Sequence, residues 1–318
     1  MSQNLPRDAK IYLAGHRGLV GGALLRRLER EDYRNVVTVP SWELDLRDQS
    51  STFAFFEEQQ PEYVILAAAK VGGILANSSY PAQFIYDNLM IATNVLEASY
   101  RTGVKKLLNL GSSCIYPKLA PQPLREEYLL TGPLEETNRA YAVAKIAAIE
   151  MCDHYRTQYG CDFISAMPTN CYGPHDNFDL SSSHVLPAML RKMHDAKMEN
   201  AATVEIWGTG RPMREFIYSD DLADACIFLL KNYSAPGPIN IGTGADLTIH
   251  DLATMIKEIV GFEGEIVFNT DRPDGTPRKL LDVSRLRKAG WSARTQLRQG
   301  ISDTYAWFEK NYEHLPQR

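Results

Sequence analysis

The seven residues Gly15-His16-Arg17-Gly18-Leu19-Val20-Gly21 constrain this chain more than any others. An apolar run, Lys10–Ala14, ends directly before them, and Leu19–Glu31 carries apolar residues at helical spacing. A strand that turns into a helix through such glycines aims free backbone N–H groups and a positive helix end at one point. The first glycine permits the tight turn, the second lets backbone approach a diphosphate, and the third lets helix pack on strand. The loop either cradles a dinucleotide or merely joins strand to helix. The strand before it, the helix behind it and its place near the chain start favour binding.

The alternation continues downstream. Asn35–Val39 is β-branched, Tyr63–Ala67 is a buried-strand candidate and Ala82–Tyr100 reads as a long helix. Lys106–Leu110 reads as a fifth strand-type segment, Asn138–Tyr155 as a second long helix and Cys161–Met167 as a further strand. Such β-α-β order predicts an α/β fold: a doubly wound, Rossmann-type parallel sheet with helices on both faces. After about Pro168 the pattern loosens. Loops rich in Pro, Gly, Asn and Ser occupy 168–183, 207–214 and 269–279, between short helices at about 184–197, 220–232 and 248–260. The expected division is a dinucleotide-binding domain over residues 1–170 and a smaller α/β substrate-binding region over 171–318, with later segments returning to the first sheet.

The net charge of −5 leaves no cation excess for nucleic acid or an anionic membrane. No stretch reaches the roughly 18 apolar residues of a membrane span, and the polar start, Met1–Lys10, lacks a secretory signal. The five cysteines, Cys114, Cys152, Cys161, Cys171 and Cys226, are odd in number and show no paired metal spacing. A cytoplasmic protein with reduced thiols and no metal is expected. Cys152, Cys161 and Cys226 read as buried packing residues.

Lys106–Leu110 runs into Gly111-Ser112-Ser113-Cys114-Ile115-Tyr116, at the carboxyl end where doubly wound sheets bind ligands. In an extended segment Ser112 and Cys114 would point the same way. Downstream, Tyr141 and Lys145 stand four residues apart on one face of a helix. A free tyrosine, with a pKa of about 10, is a poor acid–base group at neutral pH. A neighbouring ammonium is expected to bring that value down, while Ser112 donates to the same substrate oxygen. Tyr-x-x-x-Lys alone arises readily by chance in a chain with 16 tyrosines, and an amphipathic helix with an exposed Tyr and Lys is the plain alternative. The order decides for chemistry: glycine loop, serine after a strand, then Tyr and Lys on the next helix.

That ordered set resembles the extended short-chain dehydrogenase/reductase family, whose members act largely on nucleotide sugars. The resemblance runs over nearly the whole chain, including Pro168-Thr169-Asn170 and Tyr172-Gly173-Pro174. It implies catalytic roles for Ser112, Tyr141 and Lys145. Dehydratase members carry an Asp-Glu pair where this chain has Ser113-Cys114, which argues against water elimination. Six strings in order are similar to the GDP-sugar epimerase–reductases of that family: Ala69–Ile74, Gly111–Lys118, Pro168–Asn170, Tyr172–Phe178, Pro212–Phe216 and Pro273–Asp282.

This likeness implies inversion at C3 and C5 of a GDP-linked 4-keto-sugar by Cys114 and His184, then reduction at C4 with NADPH. Implied cofactor contacts are Gly15, His16, Arg17, Gly18, Leu19, Val20, Gly21, Ser41, Asp45, Leu46, Leu110, Gly111, Ser112, Ser113, Tyr141, Lys145, Pro168, Thr169, Asn170, Cys171 and His184. Lys192, beside Arg191, and Arg214 are implied for the substrate diphosphate, Trp207 for guanine or sugar, and Asp274 for hydroxyls. A homodimer built on the two long helices is implied as well. From the residues alone, Cys114 is as readily a small buried hydrophobe, and His184 a helix N-terminal residue. Trp207 reads equally as core, and Asp274 as part of a Pro-Asp-Gly turn. A simple 4-reductase or 4-epimerase of the same family is the competing reading.

The usual place for a ribose-binding acid, after the second strand, reads Val39-Pro40-Ser41 and holds no acid. Arg17 either pairs with a 2′-phosphate or is a solvent-exposed side chain. Both features lean to NADP. Family members commonly carry an arginine at the position of Ser41, so weak discrimination against NADH is expected.

Overall fold

The computed structural model describes residues 5–272 and 274–315; Pro273 of the last matched string and Met1–Asn4 of the polar start lie outside them. The first half runs β1 (Ile11–Ala14), α1 (Leu19–Arg30), β2 (Val36–Val37), α2 (Gln49–Gln59), β3 (Tyr63–Leu66), α3 (Ile74–Ser79), α4 (Pro81–Arg101), β4 (Lys106–Leu110), α5 (Arg139–Tyr159) and β5 (Phe163–Pro168). Then come β6 (Asn170–Tyr172), α6 (Val185–Met198), β7 (Thr203–Trp207), β8 (Met213–Tyr218), α7 (Ser219–Asn232) and β9 (Pro238–Ile241). The chain closes with β10 (Asp246–Thr248), α8 (Ile249–Val260), β11 (Glu265–Asn269), β12 (Arg278–Lys279), α9 (Ser284–Lys288) and α10 (Leu297–Asn311).

Six strands form one parallel sheet in the order β2-β1-β3-β4-β5-β9. Every residue of β1, β3 and β4 is buried. Helices cover both faces, so the strands are mostly apolar instead of alternating. The buried exceptions in β4 are paired, Lys106 with the Tyr233 carbonyl and Asn109 with Ser165. Segment Lys106–Leu110 is the fourth strand of this sheet, not a fifth. Helix α2 has no counterpart in the apolar periodicity because only Thr52 and Phe56 of its residues are buried. Its start is instead fixed by Asp48, whose carboxylate accepts from Ser51 N at 2.6 Å. Strand β2 ends at Val37, so Val39-Pro40-Ser41 belongs to the loop beyond it.

Helices α4 and α5 lie side by side. Tyr100 stacks on Tyr159 with ring centroids 4.3 Å apart, and the Tyr155 hydroxyl donates to Glu97. A second, mixed sheet holds β8 against β6 and β12 in parallel and β10 antiparallel, while β7 and β11 pair separately. Leu190, Met193, Ile206, Leu252, Ile256 and Phe308 fill the apolar core between these strands and α6, α8 and α10.

The two regions meet at Glu215 on β8, which is wholly buried. Its carboxylate accepts from Thr243 N at 2.6 Å and Gly244 N at 2.7 Å, just past β9, and from Leu281 N at 2.9 Å, just past β12. Its backbone carbonyl accepts from Thr169 Oγ1 and Asn170 Nδ2 at the end of β5. Burial raises the carboxyl pKa, and the backbone N–H groups pull it back down. Replacing Glu215 with Ala orphans three buried backbone donors. The variant is expected to lose at least about 3 kcal/mol of stability in denaturant unfolding.

Candidate active site

The glycine loop is built for close backbone approach. Gly15 has φ +89°, and a Cβ there would lie 2.6 Å from Ala68 N. A Cβ on Gly21 would lie 2.0 Å from the Gly15 carbonyl oxygen, so both positions exclude any side chain. Helix α1 begins at Gly18 with no side-chain cap and no acid in its first turn. Its free N–H groups and positive end face a cavity of about 920 Å³. The buried Nδ1 of His16 has no hydrogen-bond partner there. Uncapped amides, a positive dipole end and a backbone floor fit a dinucleotide diphosphate.

All the cofactor positions implied by the sequence line this one cavity, from residues 15–21 through Ser41, Asp45 and Leu46 to residues 110–113, Tyr141, Lys145, residues 168–171 and His184. They arrive from the carboxyl ends of β1, β4 and β5, the loop after β2, helix α5 and the N-cap of α6. Lys145 Nζ donates to Leu110 O at 2.7 Å and lies 5.8 Å from the Tyr141 ring centroid. Burial lowers the Lys145 pKa to about 8. Burial pushes the Tyr141 hydroxyl well above its ordinary value, against a hydrogen bond with Ser112 that pulls it down. The net direction is upward, against the lowering expected from the sequence, because burial outweighs the hydrogen bond.

Cys114 does not line the cavity. Residues Ser113–Ile115 form a 3-10 turn, not the extended segment expected, and Ser112 Oγ caps it by accepting from Cys114 N at 3.4 Å. The thiol is buried, hydrogen-bonded to Ser112, and close enough to Lys279 and Lys145 that both ammonium groups pull its pKa down against burial. His184 occupies the N-cap position of α6 without capping it. Burial first, and then Lys279, lowers its pKa.

Lys279 joins these groups to the second region. On β12 it sits in register with Arg214 on β8. Burial lowers the pKa of both, that of Arg214 to about 10, with Asp274 and Glu135 drawing Arg214 back up. Asp274 accepts from Thr209 N at 2.6 Å and Thr209 Oγ1 at 2.9 Å, so it holds a turn as well as facing Arg214. Trp207 is half-exposed, not core, with Arg272 4.8 Å and Lys192 5.8 Å from its ring centroid. Arg191 is buried and donates to Phe178 O at 3.3 Å, so it serves the fold.

Cys152 and Cys226 are fully buried as expected, whereas Cys161 is half-exposed beside Arg156. No local sequence signal marks Lys279 or Arg272 as site residues. Lys279 stood inside a matched string, but an isolated lysine carries no local sign of burial. Among the described residues no group of His, Cys, Asp or Glu is arranged to hold a metal, and no helix is long and apolar enough to cross a membrane.

A glycine-loop parallel sheet with Ser112, Tyr141 and Lys145 at its carboxyl edge defines a class, and the sequence profile of the NAD dependent epimerase/dehydratase family matches residues 11–242. The chain belongs to that family. More particularly, it is 56% identical to GDP-L-fucose synthase 1 of Arabidopsis thaliana over 305 residues, 96% of this chain and 94% of the relative. A solved GDP-L-fucose synthetase from Naegleria fowleri bound to NADP superposes with a TM-score of 0.92 at 32% identity, covering 99% of this chain and 98% of that one. The GDP-mannoheptose C4 reductase of Campylobacter jejuni with NADP bound gives 0.90 at 42% identity, over 96% of this chain and 100% of that one.

Gly21→Ala tests the cradle. The added methyl displaces the Gly15 carbonyl, and a shift of that size is expected to lower kcat/KM roughly hundredfold while circular dichroism stays native.

Proposed function

We propose that this chain converts GDP-4-keto-6-deoxy-D-mannose to GDP-L-fucose, by epimerisation at C3 and C5 followed by NADPH-dependent reduction at C4. What supports the epimerase half is that Ser112 hydrogen-bonds both Cys114 and Tyr141, and that the Lys279 ammonium is near enough to pull down the pKa of both the Cys114 thiol and the His184 imidazole. A simple C4 reductase needs neither group. Ser112 and Tyr141 hold the C4 oxygen by hydrogen bonds. With the carbonyl so polarised, one of Cys114 and His184 removes the proton from carbon, and the C–H electron pair moves into an enolate stabilised by those donors. The other group returns a proton to the opposite face. Repetition at the second carbon completes the inversion.

When bound, NADPH supplies the hydride that reduces C4. Tyr141, kept protonated by burial, delivers its proton to the C4 oxygen, and the Lys145 ammonium beside it offsets the phenolate left behind. Arg214, with Lys192 and Trp207, receives the GDP moiety. The roles of the cofactor-lining residues, and the division near residue 170 into cofactor and substrate regions, are part of the same proposal. So is a homodimer that pairs α4 and α5 across a two-fold axis, supported by Tyr86, Tyr100, Val143 and Tyr159 standing exposed on those helices. Free thiols fit a cytoplasmic enzyme.

The test uses GDP-4-keto-6-deoxymannose in deuterated water, first without NADPH and then with it. Deuterium is expected at C3 and C5 before any reduction, and GDP-fucose once NADPH is added. Cys114→Ser and His184→Asn should each slow exchange by about 10²-fold or more, and Cys114→Ser, outside the cofactor cavity, should leave NADPH binding intact. Reduction at C4 without exchange would make the chain a simple reductase.

The Lys145 pKa of about 8 also sets a pH limit. Its folded-state value lies below the free-lysine value, so the ammonium is present below pH 8 and lost above it. The rate of C4 reduction should therefore be flat to about pH 8 and fall beyond. Lys145→Arg, which stays charged, should move that limb to higher pH.

A further inference from the structure

We propose that Trp42 positions Arg17 for the cofactor's 2′-phosphate, so that the preference for NADPH over NADH depends on an indole–guanidinium stack. The Arg17 guanidinium carbon lies 4.4 Å from the Trp42 ring centroid. Arg17 lines the large cavity, while Trp42 lies outside its lining and is 69% exposed. The indole thus packs on the guanidinium from outside the cavity that Arg17 lines. This deepens the NADPH reading of the site and rests on it.

The charge distribution at this end of the cavity makes Arg17 decisive. The wall formed by Val39, Pro40 and Ser41 holds no charge. Two other cations are near, but both are neutralised by carboxylates. Arg47 makes a two-point contact with Asp45, at 2.9 and 2.8 Å, and reaches Asp87 at 3.2 Å. Lys70 lies 3.3 Å from the same Asp87 and donates to Gln83 at 2.6 Å. Among the described residues Arg17 makes no salt bridge, so its charge remains for an anion.

A lone exposed arginine is a weak clamp, because its long side chain must be ordered when a phosphate arrives. An aromatic face orders it beforehand without consuming its N–H donors, which lie in the plane of the guanidinium. The stack therefore does part of what a second arginine would do. Trp42 is a positioning residue in this scheme: it touches Arg17, and Arg17 touches the phosphate.

The test compares wild type, Trp42→Ala, Trp42→Phe and Arg17→Ala with NADPH and with NADH, and measures calorimetric binding of adenosine 2′,5′-bisphosphate and of AMP. Trp42→Ala should raise KM for NADPH about three- to fivefold, the size of an exposed cation–π contact. Its kcat, its NADH parameters and its AMP affinity should stay put, and Trp42→Phe should retain most of the wild-type preference. Arg17→Ala should remove the preference. Equal losses for both cofactors in Trp42→Ala would mean that the indole contacts adenine or props up the loop, and would overturn the proposal. So would an unchanged preference. If wild type bound the bisphosphate no better than AMP, the NADPH reading itself would fall. A wild-type preference that survives Trp42→Ala would sink only the role given to Trp42.

Discussion

The buried carboxylate of Glu215 is the constraint on which the geometry of this molecule depends. A carboxylate with no exposure is tolerable only when its oxygens are fully hydrogen-bonded, and here the partners are backbone N–H groups from two separate segments. The bonds fix the end of β9, the last strand of the parallel sheet, against β8 and the residues after β12. Because Arg214 is the preceding residue on β8 and Lys279 lies beside it, the same bonds set where these cations stand. Thr169 and Asn170 attach to the Glu215 carbonyl, so the floor of the cofactor cavity is tied to the same point.

Around that frame the site gathers more positive charge than its own acids balance. Lys145, Lys279 and Arg214 are all buried deeply enough that desolvation lowers their pKa values. Among the acids that draw those values back up, Glu135 is already bonded to Lys118 at 3.0 Å, and Asp274 to the Thr209 turn. Such a site is complementary to negative charge that arrives with a ligand or develops during reaction. A diphosphate satisfies the first case and an enolate the second. The same environment keeps Tyr141 protonated, the state needed to deliver a proton to a reduced carbonyl.

Much of this was legible in the chain. The glycine loop, the serine after a strand and the tyrosine four residues before a lysine are local patterns, and each is placed by a short stretch of backbone. Their order sufficed to bring the implied cofactor positions to one cavity. The failures also had local causes. Helix α2 carries no apolar stripe, so periodicity missed it. Ser113–Ile115 turned out to be a 3-10 turn because Ser112 caps it, a hydrogen bond that no alternation pattern encodes. Arg191 and Lys192 are adjacent cations with opposite fates, one buried against Phe178 and one beside Trp207, because successive residues on a helix face different ways.

By itself, then, the sequence determined the parallel α/β architecture, the phosphate cradle and the order of the reacting groups, since each is written in a contiguous run of residues. Only the tertiary structure decided which charges meet. Lys279 acts on Cys114 and His184 across more than ninety residues of chain, and Arg17 finds Trp42 across a helix, a strand and their loops. The protonation of Tyr141 follows from burial, which depends on every segment packed around it. Desolvation and charge proximity are properties of three-dimensional neighbours, and spacing along a chain does not report them.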